Sequence, residues 1–406
     1  MAKSKIFVGL EIGTYKVCLA VGEVRGDGAI KILGQGTHPS SGVRKGEITD
    51  AEQVSVCIRE ALAKAEEKSA VEVESVYLAI TGAHITSMQS RGRARIGDDQ
   101  SEITEEDLGE VKEMARNVTL PPDHGIIHSI LQHYYVDGQE KVVNPVGMLG
   151  QKLEADYHII HGQKNRVQNS IRCVRECRLE VEDIVFSPIA AAQVLLNRET
   201  RQQGAVLIDI GAGTTEYAMY LDGAIIASGC VGVGGDHLTN DLSIVLKLPM
   251  VRSEKLKIEH GSADPDSVDD EVIDLEADSH FAGAPVERSL LAQVIASRLR
   301  ELFELIKQRL MEGGSYQKIG AGIFLTGGVS LTPGIGTLAE EIFELPVRRP
   351  GDPGMSGPSI PMEHPQYSVP IGLLRYAQLM DENRPKAGAL ASLTRRFKGM
   401  FGGGAK

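Results

Sequence analysis

The run Ala205-Val206-Leu207-Ile208-Asp209-Ile210-Gly211-Ala212-Gly213-Thr214-Thr215-Glu216-Tyr217-Ala218-Met219-Tyr220-Leu221 constrains the fold more than any other stretch. It reads as an apolar strand carrying an acid near its end, a glycine turn with two hydroxyls, and a second apolar strand. Glycines at 211 and 213 lack Cβ, so backbone N–H groups can approach an anion closely. The Thr214 and Thr215 hydroxyls can donate, and Asp209 can hold a cation through water. Taken alone, the stretch also suits an ordinary hairpin. A dinucleotide fingerprint fits less well, because Glu216 stands where a third glycine belongs and strand rather than helix follows.

A second copy favours phosphate binding. Ile6 to Val21 repeats the order of apolar strand, acid (Glu11), glycine turn with threonine (Gly13, Thr14) and apolar strand. Asp27-Gly28-Ala29-Ile30 follows the first hairpin and Asp222-Gly223-Ala224-Ile225 the second, each introducing a third strand. A helix and a buried strand with a Thr-Gly turn come next in both halves, Val76 to Gly82 and Ile323 to Gly328. Repetition of whole supersecondary units predicts two similar α/β lobes. Acid-and-glycine turns facing each other across a cleft would grip a nucleoside triphosphate from both sides.

These motifs resemble the actin, Hsp70 and sugar-kinase ATPase superfamily and, within it, the FtsA family of bacterial division proteins. Gly9 to Val17 is similar to the first phosphate motif, Asp209 to Thr215 to the second, and Leu325 to Val329 with Pro333 to the adenosine motif. The resemblance implies an α/β, actin-like ATPase fold of two duplicated RNase H-like lobes with inserted subdomains and a C-terminal amphipathic helix. It implies ATP and Mg2+ as cofactors. Gly13, Thr14, Tyr15 and Lys16 with Gly211, Ala212, Gly213, Thr214 and Thr215 would then cradle phosphates, and Glu11 and Asp209 would hold the metal through waters. Glu11 departs from the aspartate more usual in the superfamily. Gly327, Gly328 and Val329 would face the adenosine, flanked by Glu254 and Lys257. Gly234 and Gly235 open a helix whose first N–H groups would point at the nucleotide, although a tight helix start explains them equally well.

By the same resemblance, lobe 1 spans 1–82 and 162–203 and lobe 2 spans 204–249 and 313–380. Subdomain 1C would occupy 83–161 and subdomain 2B 250–312. Where Hsp70-like and MreB-like relatives place a Glu or Gln to position the attacking water, this chain has Ser187, a poor base, so hydrolysis is expected to be slow or negligible.

The chain of 406 residues carries 43 Lys and Arg against 55 Asp and Glu, a net charge of −12, which argues against a general nucleic-acid binder. Cysteines 18, 57, 173, 177 and 230 fall on apolar stretches and read as reduced core residues of a cytoplasmic protein. No signal peptide or run of transmembrane length is visible.

Along the chain, Thr49-Asp50 caps a helix running to about Lys68. Histidines 124, 128, 133, 158 and 161 form no recognised ligand set and read as scattered, half-buried residues. Leu238, Leu242 and Val245 form the stripe of the helix opened by the two glycines. Residues Ser262 to Asp278 read as a solvated acidic loop. Val286 to Met311 reads as a long helix with a core-facing stripe and a face bearing Arg288, Arg298 and Arg300. The resemblance places that face where the acidic, apolar C-terminal peptide of FtsZ docks; the bland alternative is a surface of salt bridges. Pro370 to Leu374 is expected to close the second lobe.

After a linker at 381–389, Leu390, Leu393, Phe397 and Phe401 recur at three- and four-residue steps, flanked by Arg395, Arg396 and Lys398. A short basic helix of this kind (390–401) suits the interface of an anionic bilayer. The expected protein is an actin-like scaffold that polymerises, binds anionic inner-membrane lipids at midcell, tethers FtsZ and meets later division proteins. Rival readings are a sugar-kinase-like phosphotransferase and a pilus-assembly actin-like ATPase. The first lacks a convincing catalytic aspartate, and neither accounts for the terminal helix.

Overall fold

A computed structural model of the chain describes residues 5–26, 28–97, 101–269, 271–275, 277, 283–357 and 364–383. The chain begins with β1 (Lys5–Ile12), β2 (Lys16–Val24) and β3 (Ile30–Pro39), an antiparallel meander, followed by the short hairpin β4 (Val43–Arg44) and β5 (Glu47–Ile48). Helix α1 (Ala51–Ser69) starts at Asp50, whose side chain accepts from the Gln53 N–H, and buries Val54, Ile58, Ala61 and Ala65. Strand β6 (Ser75–Ile80) then pairs in parallel with β1, as a strand returning through a helix must.

An inserted unit follows: β7 (Thr86–Arg95), α2 (Glu105–Arg116), β8 (His124–Val136), β9 (Gln139–Val142) and β10 (Lys152–Gln163). Its sheet, ordered β7-β10-β8-β9, has a core of its own around Ile103, Val111, Leu153 and Ile159. Lobe 1 resumes with α3 (Lys164–Glu176), β11 (Glu180–Phe186), α4 (Ser187–Leu195) and α5 (Arg198–Gln203).

The second lobe repeats the plan with β12 (Ala205–Ile210), β13 (Thr215–Leu221), β14 (Ala224–Val231), α6 (Gly235–Leu246), α7 (Met250–His260), β15 (Val272–Leu275), β16 (Ala284–Glu287), α8 (Arg288–Met311), β17 (Gly322–Thr326) and α9 (Ile335–Phe343). Its sheet order β17-β12-β13-β14 reproduces β6-β1-β2-β3 in the six-stranded sheet of lobe 1, including the parallel step between first and fourth strands. Every residue of β12 is buried, because α8 and α9 cover one face of this sheet and α4 the other.

The last stretches depart from expectation. Strand β18 (Met355–Ser356) pairs with β3, and α10 (Ser368–Glu382) packs on α4, β1 and β2. The segment around Pro370 to Leu374 therefore belongs to the core of lobe 1 and does not close lobe 2. The fit is tight: a Cβ on Gly372 would stand 2.0 Å from the Ala190 carbonyl oxygen.

The acidic stretch 262–278 is no plain loop, since Val272–Leu275 pairs with Ala284–Glu287 and takes Val286 out of the long helix. Val245 is 47% exposed and leaves the α6 stripe to Leu238 and Leu242. The inserted unit lies along the edge strand β14. Ser87, Gln89 and Gln132 donate to the carbonyls of Ser228, Ile226 and Ile225 at 2.7, 2.6 and 2.6 Å, so backbone groups that an edge leaves unpaired are satisfied. Among the described residues no helix is long and apolar enough to cross a membrane.

Candidate functional site

Both glycine hairpins close in the same way. The Gly13 N–H donates to the Lys16 carbonyl at 3.0 Å and the Gly211 N–H to the Thr214 carbonyl at 2.9 Å. The turns face each other and nearly touch: a Cβ on Gly213 would lie 2.4 Å from Thr14 Oγ1, so only glycine permits the approach. At the end of β6 the Thr81 hydroxyl donates to Glu216 Oε1 and lies 3.3 Å from Thr214 Oγ1, joining the lobes behind the turns.

Behind this contact sits a group of acids. Asp209 and Glu216 are cross-strand partners on β12 and β13, 7% and 3% exposed, and Glu11 contributes from β1. Burial raises the Asp209 carboxyl well above its ordinary range, and the charges of Glu216 and Glu11 push it the same way against Lys16. Burial likewise raises Glu11 and Glu216. Glu11 Oε2 is sealed from solvent with no hydrogen-bond partner, an arrangement that costs free energy unless a cation or donor arrives. The donor set is hard oxygen, suited to Mg2+. Among the described residues no three His, Cys, Asp or Glu side chains complete a metal site, so a cation here would draw its remaining ligands from water and phosphate. The residues fit the group.

Lys16 Nζ donates to the Gln366 carbonyl at 2.7 Å and lies over the Tyr367 ring, and the Gln366 side chain keeps a buried, unpaired Oε1. Tyr15 is 62% exposed, so its side chain turns to solvent and only its backbone shapes the turn. The Thr215 hydroxyl is fully buried and donates to the Val233 carbonyl at 2.8 Å, which leaves Thr214 as the hydroxyl of the second turn nearest lobe 1.

The helix start at Gly234 and Gly235 differs from expectation. The N–H groups of Gly235 and Asp236 donate to the carbonyls of Gly211 and Ala212 at 2.9 and 2.8 Å. They brace the second turn from behind and are not free for an anion.

On the far side, Lys257 Nζ donates to Glu254 at 2.6 Å, Thr239 Oγ1 at 2.9 Å and the Gly235 carbonyl at 3.0 Å. Val329 approaches the same glycine. Gly327 lies against Asp209, its positive φ of 85° bending the chain there, while a Cβ on Gly328 would meet open space. Gly235, Glu254, Lys257 and the 327–329 turn thus lie together beside the acids, with Gly328 exposed to open space.

Three expectations are corrected. Arg298 and Arg300, two residues apart on α8, point about 160° away from one another around the helix and cannot share a face. Arg298 pairs with Asp241 and Glu301, Arg300 with Glu341, and Arg288 with Asp269 and Glu271. The surface is one of salt bridges, beside a groove of about 480 Å³ lined by Arg300, Glu304, Lys307, Met311 and Ile342. The histidines are not all scattered either: His124 and His161 bring their Nδ1 atoms within 2.8 Å at the root of the insertion. Ser187 donates to the Ile80 carbonyl within the core and is 3% exposed, which keeps it from attending a water in the cleft. Leu390, Leu393, Arg395, Arg396, Phe397, Lys398 and Phe401 lie outside the described residues.

The family profile "Cell division protein FtsA" matches residues 206–372, and "SHS2 domain inserted in FTSA" matches 82–161. The cell division protein FtsA of Pseudomonas aeruginosa is 35% identical over 412 residues, 98% of each chain. The chain belongs to the FtsA family of cell division proteins. Among solved structures, a PilM–PilN type IV pilus biogenesis complex aligns with 92% of this chain and 98% of its own at a TM-score of 0.64 and 15% identity. MreB5 of Spiroplasma citri bound to ADP aligns with 93% and 99% at 0.55 and 15%. These likenesses show the actin-like fold that FtsA proteins share, and FtsA membership gives the chain a role in cell division.

Sequence reasoning passed over Glu216, Thr81 and Gln366 as site residues. Glu216 was legible in principle: two strands joined by a four-residue turn place the residue after Thr215 opposite Asp209.

Proposed function

We propose that this FtsA-family protein binds ATP with Mg2+ between its two glycine hairpins and uses the nucleotide as a structural ligand that holds the lobes together. The observation that carries the reading is the meeting of the turns at Thr14 and Gly213 above a buried acid group with an orphan Glu11 oxygen. Glu11 and Asp209 would hold Mg2+ through waters, Thr14, Lys16 and the 211–214 backbone the phosphates, and Glu254, Lys257 and Val329 the adenosine. A bound cation neutralises charge that burial makes costly, so binding stabilises the closed form by mass action. With Ser187 engaged at Ile80, no side chain at that helix start activates water, and turnover is slow or negligible.

Residues 83–161 are proposed to serve contacts between copies and with later division proteins. The FtsZ tail peptide would dock on the α8 side of lobe 2, in the groove beside Lys307 and Met311, its carboxylates competing with Glu341 for Arg300. The 390–401 segment would place the polymer on anionic lipid at the cytoplasmic face of the division site, each contact weak alone and strengthened by multivalency.

Titration calorimetry of Mg·ATP with the full chain tests the cleft: wild type binds, and Asp209→Ala loses binding. Equal affinities would remove the reading. Vesicles containing anionic lipid pellet the full chain, and pelleting that survives deletion of residues 390–406 would remove the membrane assignment.

A further inference from the structure

The β4–β5 hairpin forms a third wall of the cleft that the family motifs do not include. Val43 pairs with Ile48 and Arg44 with Glu47, which leaves Lys45 and Gly46 as a two-residue turn with φ of 52° and 73°. Such a turn favours Asn-Gly, and a lysine in the left-handed region is held there against its own preference. Strained positions of this kind gather where a ligand is gripped.

This turn is pressed between the two hairpins. The Gly46 N–H donates to Thr14 Oγ1 at 3.0 Å. A Cβ on Gly213 would stand 2.8 Å from the Lys45 Cα and 2.9 Å from its nitrogen. The lysine backbone therefore touches the second turn while its neighbour holds the first.

Its side chain is exposed, and among the described residues Lys45 Nζ has no salt bridge or hydrogen bond. The acid nearest in the hairpin, Glu47, is taken by Arg166. The charge nevertheless reaches the cleft: His237 in the first turn of α6 is held below its ordinary range by burial and then by Lys45 and Arg298. An unpaired ammonium on a backbone set between two amide-lined turns is what a terminal phosphate, the most highly charged part of the nucleotide, would draw in.

We propose that Lys45 binds the terminal phosphate of the nucleoside triphosphate and so sets the preference for tri- over diphosphate. The proposal rests on the cleft reading above, and the test separates the two. Asn is the residue the turn prefers, so Lys45→Asn keeps the backbone and removes the charge. Calorimetric titration of Mg·ATP and Mg·ADP against full-length wild type, Lys45→Asn and Lys45→Arg, with melting temperatures measured alongside, gives the readout. Lys45→Asn is expected to lose about tenfold in ATP affinity, the scale of one charge-assisted contact, with ADP affinity within about threefold of wild type. Lys45→Arg retains most of the preference, and all three proteins melt alike. Equal ATP and ADP losses, or no loss at all, in a variant that melts like wild type would overturn the assignment while leaving the cleft intact. Loss accompanied by a lowered melting temperature would make Lys45 a structural residue only. Wild type that binds neither nucleotide would remove the cleft reading, and this inference with it.

Discussion

The two hairpins of the duplicated lobes share a scaffold and differ in charge. Each turn closes with a bond from its first glycine to a residue three further on, and each first strand has a parallel neighbour on its other side. Opposite Glu11, however, stands Cys18, and opposite Asp209 stands Glu216. The first hairpin supplies Lys16, while the second supplies two acids. Their braces differ as well: the first is held by the Lys45–Gly46 turn, the second by the start of α6. Duplication preserved the backbone that exposes amides. The charges beside that shared backbone differ, so on the proposed reading the two hairpins together, and neither alone, would hold a cation and its phosphates.

Breaking the contact between the hairpins should have the largest effect. Gly213→Val forces a side chain into Thr14 and the Lys45 backbone, and Mg·ATP affinity is expected to fall by about a hundredfold, within the ~1–3 kcal/mol range of overpacking. At Gly13 a Cβ would meet the Lys16 carbonyl at 2.9 Å and Glu11 Oε1 at 3.8 Å, both in its own hairpin, so Gly13→Ala should cost distinctly less in the same titration. Equal losses would mean that the turns are not gripping one ligand from two sides.

The difference in charge comes next. Asp209 is raised in the folded chain, so at intermediate pH the folded state holds protons that the unfolded state has released, and ligand-free stability falls as pH rises. Asp209→Asn removes this burden. Its ligand-free melting temperature is expected to exceed wild type by a few degrees at neutral pH, with the gain shrinking as pH falls toward ~4, while its Mg2+-dependent binding is weakened. A gain that grows on acidification would reverse the sign and refute the electrostatic account.

The smallest effect belongs to the link behind the turns. Thr81→Val leaves Glu216 without its donor from lobe 1 and should lower stability by about 1 kcal/mol, read from denaturant midpoints. An unchanged midpoint would show that the lobes do not depend on that bond.

Local signals made much of this legible from residues alone. The hairpins, the Asp50 cap and helix α1 follow from turn chemistry and periodicity, which act over a few neighbours. What escaped depends on partners distant in sequence. Helix α10 carries apolar residues that would suit either lobe, and its packing on Ala190, Gly9 and Gly22 assigns it to the first. Arg298 and Arg300 look like one basic patch in a line of text, yet helical geometry sends them to acids on α6 and α9. The free N–H groups expected at Gly235 were spent on Gly211, a contact that no local pattern announces. Lys45 carried a faint signal, since a lysine before glycine in a two-residue turn is an unusual choice.

The most direct test of the central claim is a crystal structure of the full chain with Mg2+ and a non-hydrolysable ATP analogue. The account predicts the terminal phosphates between Thr14 and Gly213, the metal beside Glu11 and Asp209, and the base against Val329. Nucleotide bound anywhere outside the two hairpins would contradict it.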